Sequence, residues 1–169
     1  MRSILLTLAV FLWAPQGWAA SLTPSGWRFP NPSDRTGEWE GTASPFHIRG
    51  DFNGDGFVDD AWILLRKGGT GWAIFAFLRR GDGTARAIKL FEATPESSSP
   101  QRFVLETIRP SKTSFRTACG KGYFECGRGE PLTIQFHLPS ISFCLRESSC
   151  SVFVWQPSSA RFQRIRMSD

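Results

Sequence analysis

Residues 62–91 read WILLRKGGTGWAIFAFLRRGDGTARAIKLF, and this stretch decides the fold class. Trp62-Ile63-Leu64-Leu65 is a short apolar run. Lys67-Gly68-Gly69-Thr70-Gly71 interrupts it with residues that turn the chain at little steric cost. Trp72 to Leu78 is a second run of bulky apolar residues, Arg80-Gly81-Asp82-Gly83 a second turn, and Ala85 to Phe91 a third run. Short runs rich in aromatic and β-branched residues, separated by glycine turns, predict consecutive antiparallel strands, a β-meander.

Downstream, Ala93 to Gln101 holds Pro95, Pro100 and three serines and predicts a loop. Phe103 to Ile108 predicts a strand ended by Pro110, and Ser111 to Glu130 an irregular region. Leu132-Thr133-Ile134-Gln135-Phe136-His137-Leu138 alternates cleanly. It predicts a strand with Leu132, Ile134, Phe136 and Leu138 on one buried face. Ile141 to Leu145, Ser151 to Trp155 and Arg161 to Met167 predict three further strands. No segment carries a long 3.6-residue apolar period with caps. The expected fold is one mostly antiparallel β domain at 46–169, sandwich-like or an open barrel, with at most one short helix. The strand groups 46–91 and 132–167 are the expected halves. Residues 20–45 predict an irregular N-terminal arm held down by Trp27, Phe29 and Trp39.

Just upstream of the meander, Phe46 and Ile48 alternate with His47 and Arg49, and then comes Asp51-Phe52-Asn53-Gly54-Asp55-Gly56-Phe57-Val58-Asp59. Calcium takes six to eight oxygens at about 2.3–2.6 Å. Alternate residues of a tight loop can aim Asp51, Asn53 and Asp55 at a common point. Gly56 allows the sharp turn, the carbonyl of Phe57 is the backbone ligand, and Asp59 closes the set. Carboxylates placed this close repel one another unless a cation lies between them, so calcium is the expected cofactor. An Asp/Asn-rich turn without metal is the alternative. An EF-hand would need a bidentate Glu at loop position 12, where this chain has Trp62.

The D-x-N-x-D-G-x-x-D spacing over Gly50 to Leu64 resembles the strand-linking loops of FG-GAP and VCBS-type repeats. Those families carry several copies, and this chain carries one. Gly50-Asp51-Phe52-Asn53-Gly54-Asp55-Gly56, Thr117-Ala118-Cys119-Gly120-Lys121-Gly122-Tyr123 and the ending Val152 to Trp155 … Met167-Ser168-Asp169 are also similar to a group of small exported bacterial proteins. That resemblance implies a shared fold and compartment and carries no activity.

The N-terminus predicts the compartment independently. Met1-Arg2 is followed by an apolar run from Ile4 to Trp13 and small residues before Ala19. This is the pattern of a secretory signal peptide at 1–19. The run is shorter than the roughly 20 apolar residues a membrane anchor needs. The four cysteines, Cys119, Cys126, Cys144 and Cys150, then meet an oxidising compartment and predict two disulfides. The pairs 119–126 and 144–150 are favoured because each closes a short loop. A zinc site is the alternative, but its usual C-x2-4-C spacing is shorter.

The net charge of +5 is mild, and its arginines are scattered. A nucleic-acid partner is not expected, since a basic stripe with interleaved aromatics is missing. Neither histidine, His47 nor His137, sits in a nucleophile or zinc-protease motif. No catalytic residue is assigned. The chain holds 7 Trp and 15 Phe, more than a core of this size needs, which predicts exposed anchors for a protein or glycan partner. The expected function is a calcium-stabilised, disulfide-bonded binding module. The alternative is a small metal-assisted hydrolase using His47 beside the acidic loop.

Overall fold

The fold is described from a computed structural model over residues 23–94, 98–145 and 148–167. The expected signal peptide lies outside these residues. The strands are β1 (Trp27–Arg28), β2 (His47–Gly50), β3 (Asp59–Arg66), β4 (Trp72–Arg79), β5 (Ala85–Glu92) and β6 (Phe103–Ile108). They continue with β7 (Ser114–Arg116), β8 (Thr133–Gln135), β9 (Ser140–Leu145), β10 (Ser149–Gln156) and β11 (Arg161–Met167). In place of the expected short helix, the described residues hold four 3-10 turns of three residues each.

The meander forms as expected: β3, β4 and β5 are successive antiparallel neighbours. Both β1 and β2 lie along the free edge of β3, end to end. The run Trp72 to Leu78 is apolar throughout because β4 is buried on both faces. A second sheet runs β11-β10-β9-β6, also antiparallel. The two sheets share one core, with Ile63, Trp72 and Ile74 from the first meeting Leu105, Ile141, Phe143 and Phe153 from the second. They are tied along the β2–β6 side, where the Leu105 N–H donates to the Pro45 carbonyl at 2.9 Å and the Thr107 hydroxyl to that of Arg49 at 3.2 Å. The architecture is therefore a sandwich.

The N-terminal arm is less irregular than expected, since it supplies β1. Trp39 is fully buried in the shared core, and its indole N–H donates to the Phe103 carbonyl at 2.8 Å. Trp27 and Phe29 cover the opposite face of the first sheet, packing edge-on against Phe75 and Trp62. The expected strand at 132–138 shrinks to β8, three residues paired with β7 as a separate ribbon. Phe136 is buried, but Leu132 is 65% exposed. Alternation placed Phe136 inward correctly but not Leu132, and it could not say where pairing stops, because that depends on a neighbouring strand.

Candidate metal loop and charged neighbours

Phe52 anchors the Asp51–Asp59 loop, with its ring fully buried in the shared core. Gly54 and Gly56 take φ values of +76° and +88°, a region that L side chains rarely adopt. These two turns fold the loop back on Asp51. One Asp51 oxygen accepts from the Gly54 and Asp55 N–H groups, at 2.8 and 3.1 Å, and the other from Gly56 at 2.9 Å. Asp55 accepts from the Phe57 N–H at 2.9 Å and from the Asn53 amide at 2.8 Å. The loop tip rests on its surroundings: Leu138 lies against Gly54, and the Phe57 ring against Gly81.

Asp59 stands apart from these three side chains. It is the first residue of β3 and has no exposed surface. Its two oxygens accept from the Phe52 N–H at 2.9 Å and the Arg79 N–H at 2.8 Å. It thus pins the buried base of the loop to β4. Burial pushes its pKa up to about 6 against the pull of those two bonds, and the charges of Asp55 and Asp51 push the same way. Among the described residues, no three His, Cys, Asp or Glu side chains converge as a metal-holding group. The donor set nonetheless suits a hard cation. Asp51, Asn53, Asp55 and the Phe57 carbonyl are all oxygen donors on one turn, and the Asp51 oxygen that accepts only from Gly56 keeps a lone pair for a cation.

The next residue, Asp60, was not singled out by the sequence pattern. It faces the other side of β3 and gathers three cationic or titratable partners. His47 Nε2 lies 2.8 Å from one oxygen, and the Arg79 guanidinium donates to the other at 2.7 and 3.0 Å. Arg49 is 3.6 Å away. Burial works to raise the Asp60 pKa, but the His47 and Arg79 bonds outweigh it and hold the carboxyl below the usual range. His47 is therefore not a free surface histidine. Its ring stacks on Trp62 with centroids 3.8 Å apart, and one nitrogen is engaged by Asp60. His137 is exposed, as expected. The signal for Asp60 was its strand neighbour: β3–β4 pairing sets acid and Arg79 on one face, which no linear spacing reveals.

Both favoured disulfides form. Cys144 and Cys150 are directly opposite in the β9–β10 hairpin, with Cα atoms 4.1 Å apart. Cys119–Cys126 closes a loop carried by the β7–β8 ribbon. Thr117 is fully buried at its base, its hydroxyl donating to the Pro131 carbonyl at 2.7 Å and accepting from the Gly120 N–H at 3.0 Å. The Ala118 N–H donates to the Arg166 carbonyl on β11 at 2.9 Å. Glu130 accepts from Arg166 at 2.7 Å, and that bond holds its pKa down to about 2. The Arg166 guanidinium lies 3.6 Å above the Phe124 ring.

The exposed large apolar side chains among the described residues are few. Phe115, Tyr123, Phe124 and Leu132 belong to the ribbon and its disulfide loop; Phe57 and Val58 belong to the Asp51–Asp59 loop. No tryptophan is among them. The aromatic surplus read from composition thus goes mainly into two core clusters, one on each face of the first sheet.

No family model, curated protein or solved structure matches the chain.

Proposed function

We propose that the protein is an exported binding module, braced by calcium at 51–59 and by two disulfides, which engages a protein partner through the ribbon and disulfide loop. The observation that carries this reading is the set of exposed Phe115, Tyr123, Phe124 and Leu132 on a segment fastened at both ends. Aromatic side chains with neighbouring arginine are enriched at protein interfaces. A tied-down loop loses little conformational entropy on binding. Leu132 and Phe115 offer apolar bulk, which suits a protein better than a glycan. The disulfides fit an oxidising compartment, and the basic-apolar N-terminus supports export.

Two measurements test the two parts. Calcium at about 10 mM, acting on a site of about 10⁻⁴–10⁻³ M, contributes about 1.4–2.7 kcal/mol. That corresponds to a rise in Tm of about 3–10 °C for a chain of this size. Asp55→Ala should abolish the rise; identical melts with calcium and EGTA would remove the metal. For the partner, the exported fraction of the native source is passed over wild type and a Tyr123→Ser, Leu132→Ser double variant. Affinity for a captured protein should fall by more than about tenfold in the variant. Equal capture by both would remove the surface.

The hydrolase reading finds less support. His47 has one nitrogen on Asp60 and its ring face on Trp62, an arrangement that locks a side chain in place.

A further inference from the structure

A cleft of about 250 Å³ opens between the two sheets. Its floor is aromatic. Trp72 packs against Phe91, Phe103 and Phe143 with ring centroids 5.3, 4.9 and 5.7 Å apart, and Phe103 stacks on Phe143 at 4.7 Å. Its one charged lining residue among those described is Arg164 on β11. The Arg164 guanidinium lies 5.2 Å over the Phe91 ring.

Arg164 is the arginine that lines this cleft, and it contrasts with the ion-paired arginines. Arg28, Arg66, Arg79 and Arg166 each face a carboxylate: Asp34, Glu92, Asp60 and Glu130 respectively. Arg164 faces none among the described residues. Its one hydrogen bond among the described residues runs from Nε to the hydroxyl of Ser151, at 2.9 Å. Ser151 is 5% exposed and fixed in β10, so it orients the guanidinium through Nε, and among the described residues no side chain takes the terminal nitrogens. A planar fork with two free donors matches a carboxylate. Desolvation, and secondarily the like charge of Arg166, lowers the Arg164 pKa against the opposing pull of the Glu130 charge.

We propose that this cleft binds a small aromatic carboxylate, with its ring on the floor of Trp72, Phe91, Phe103 and Phe143 and its carboxylate on Arg164. The size argues for one ring. An apolar cavity of about 150 Å³ accepts benzene, so the space here accommodates one ring with a short acid-bearing arm. A neutral ring would gain the floor and miss the cation. A bare inorganic anion would gain the cation and leave the aromatic surface wet.

The test uses the disulfide-intact protein titrated with phenylacetate, following the Trp72 indole N–H by NMR. Phenylacetamide is the neutral control. Saturable shifts of Trp72 are expected with both ligands, and phenylacetate should bind more tightly. Arg164→Met keeps the stem over Phe91 and removes the charge; it should weaken phenylacetate by at least about tenfold while leaving phenylacetamide unchanged. Arg164→Lys keeps the charge without the fork and should fall between, which covers failure of the Met variant to fold. Absence of a saturable Trp72 shift overturns the proposal. So does unchanged phenylacetate affinity in the folded Arg164 variants.

Discussion

Gly120→Ala is expected to destabilise the protein by about 3 kcal/mol or more, at the severe end of overpacking effects. A Cβ on Gly120 would lie 1.9 Å from the Leu132 carbonyl oxygen and 2.8 Å from its carbon. Both belong to the backbone, so no rotamer change relieves the contact. That carbonyl also accepts the Thr117 N–H at 3.0 Å. Moving it would disturb the junction between ribbon and loop, where Thr117 is buried without exposed surface. Gly127→Ala is the matched control within the same region. Its nearest neighbour is a Glu130 carboxylate oxygen at 3.4 Å, at the far end of a side chain. Urea unfolding of both variants checks the prediction. Equal stability of the two would show that the loop relaxes freely and is not the fixed platform proposed for binding. The partner affinity should fall with Gly120→Ala and persist in Gly127→Ala.

Asp59 should give the calcium-free protein an unusual acid response. In the folded state its pKa is raised to about 6 from 3.8. The folded protein thus holds this proton more tightly than the unfolded chain. The stability tied to it is fully present below about 4 and is lost as pH rises through about 6. A difference of this size corresponds to about 3 kcal/mol, and the side chain has no exposed surface to screen it. The other carboxylates act in the opposite direction. Asp60, Asp34 and Glu130 have lowered pKa values and contribute stability that falls away in acid. The comparison must therefore be with Asp59→Asn, in EGTA, by urea titration at several pH values. The stability of wild type relative to the variant should rise by up to about 3 kcal/mol between pH 7 and pH 4. A constant difference would mean that Asp59 ionises normally at the base of the loop.

These expectations rest unequally on sequence. The meander needed only local information. Glycine turns bracket three apolar runs, and strand length and turn position follow from neighbouring residues. The Cys144–Cys150 pair was accessible for a similar reason, because a short turn between two strands places the sulfurs opposite each other. The loop at 51–59 was visible as a spacing of oxygen donors, and it turns at Gly54 and Gly56. Its last residue was not so simple. Asp59 was grouped with the loop, but pairing begins at this residue, and its carboxylate turns to the Phe52 and Arg79 N–H groups.

By itself, the sequence determined the long strand-forming segments, favoured the disulfide pairs that form and marked residues able to offer oxygen to a cation. Those properties depend on period, on turn chemistry and on contacts near in the chain. Only the tertiary structure decided that β6, from between the two expected strand groups, joins β9, β10 and β11 in the second sheet, and that the two sheets close face to face, sealed by Trp39 and Phe52 from segments outside the long strands. It alone brought Asp60 to His47 and Arg79, stopped β8 short so that Leu132 faces water, and set Arg164 over an aromatic floor without a carboxylate. Each depends on residues distant in sequence whose proximity is set by sheet register and packing, which local pattern does not encode.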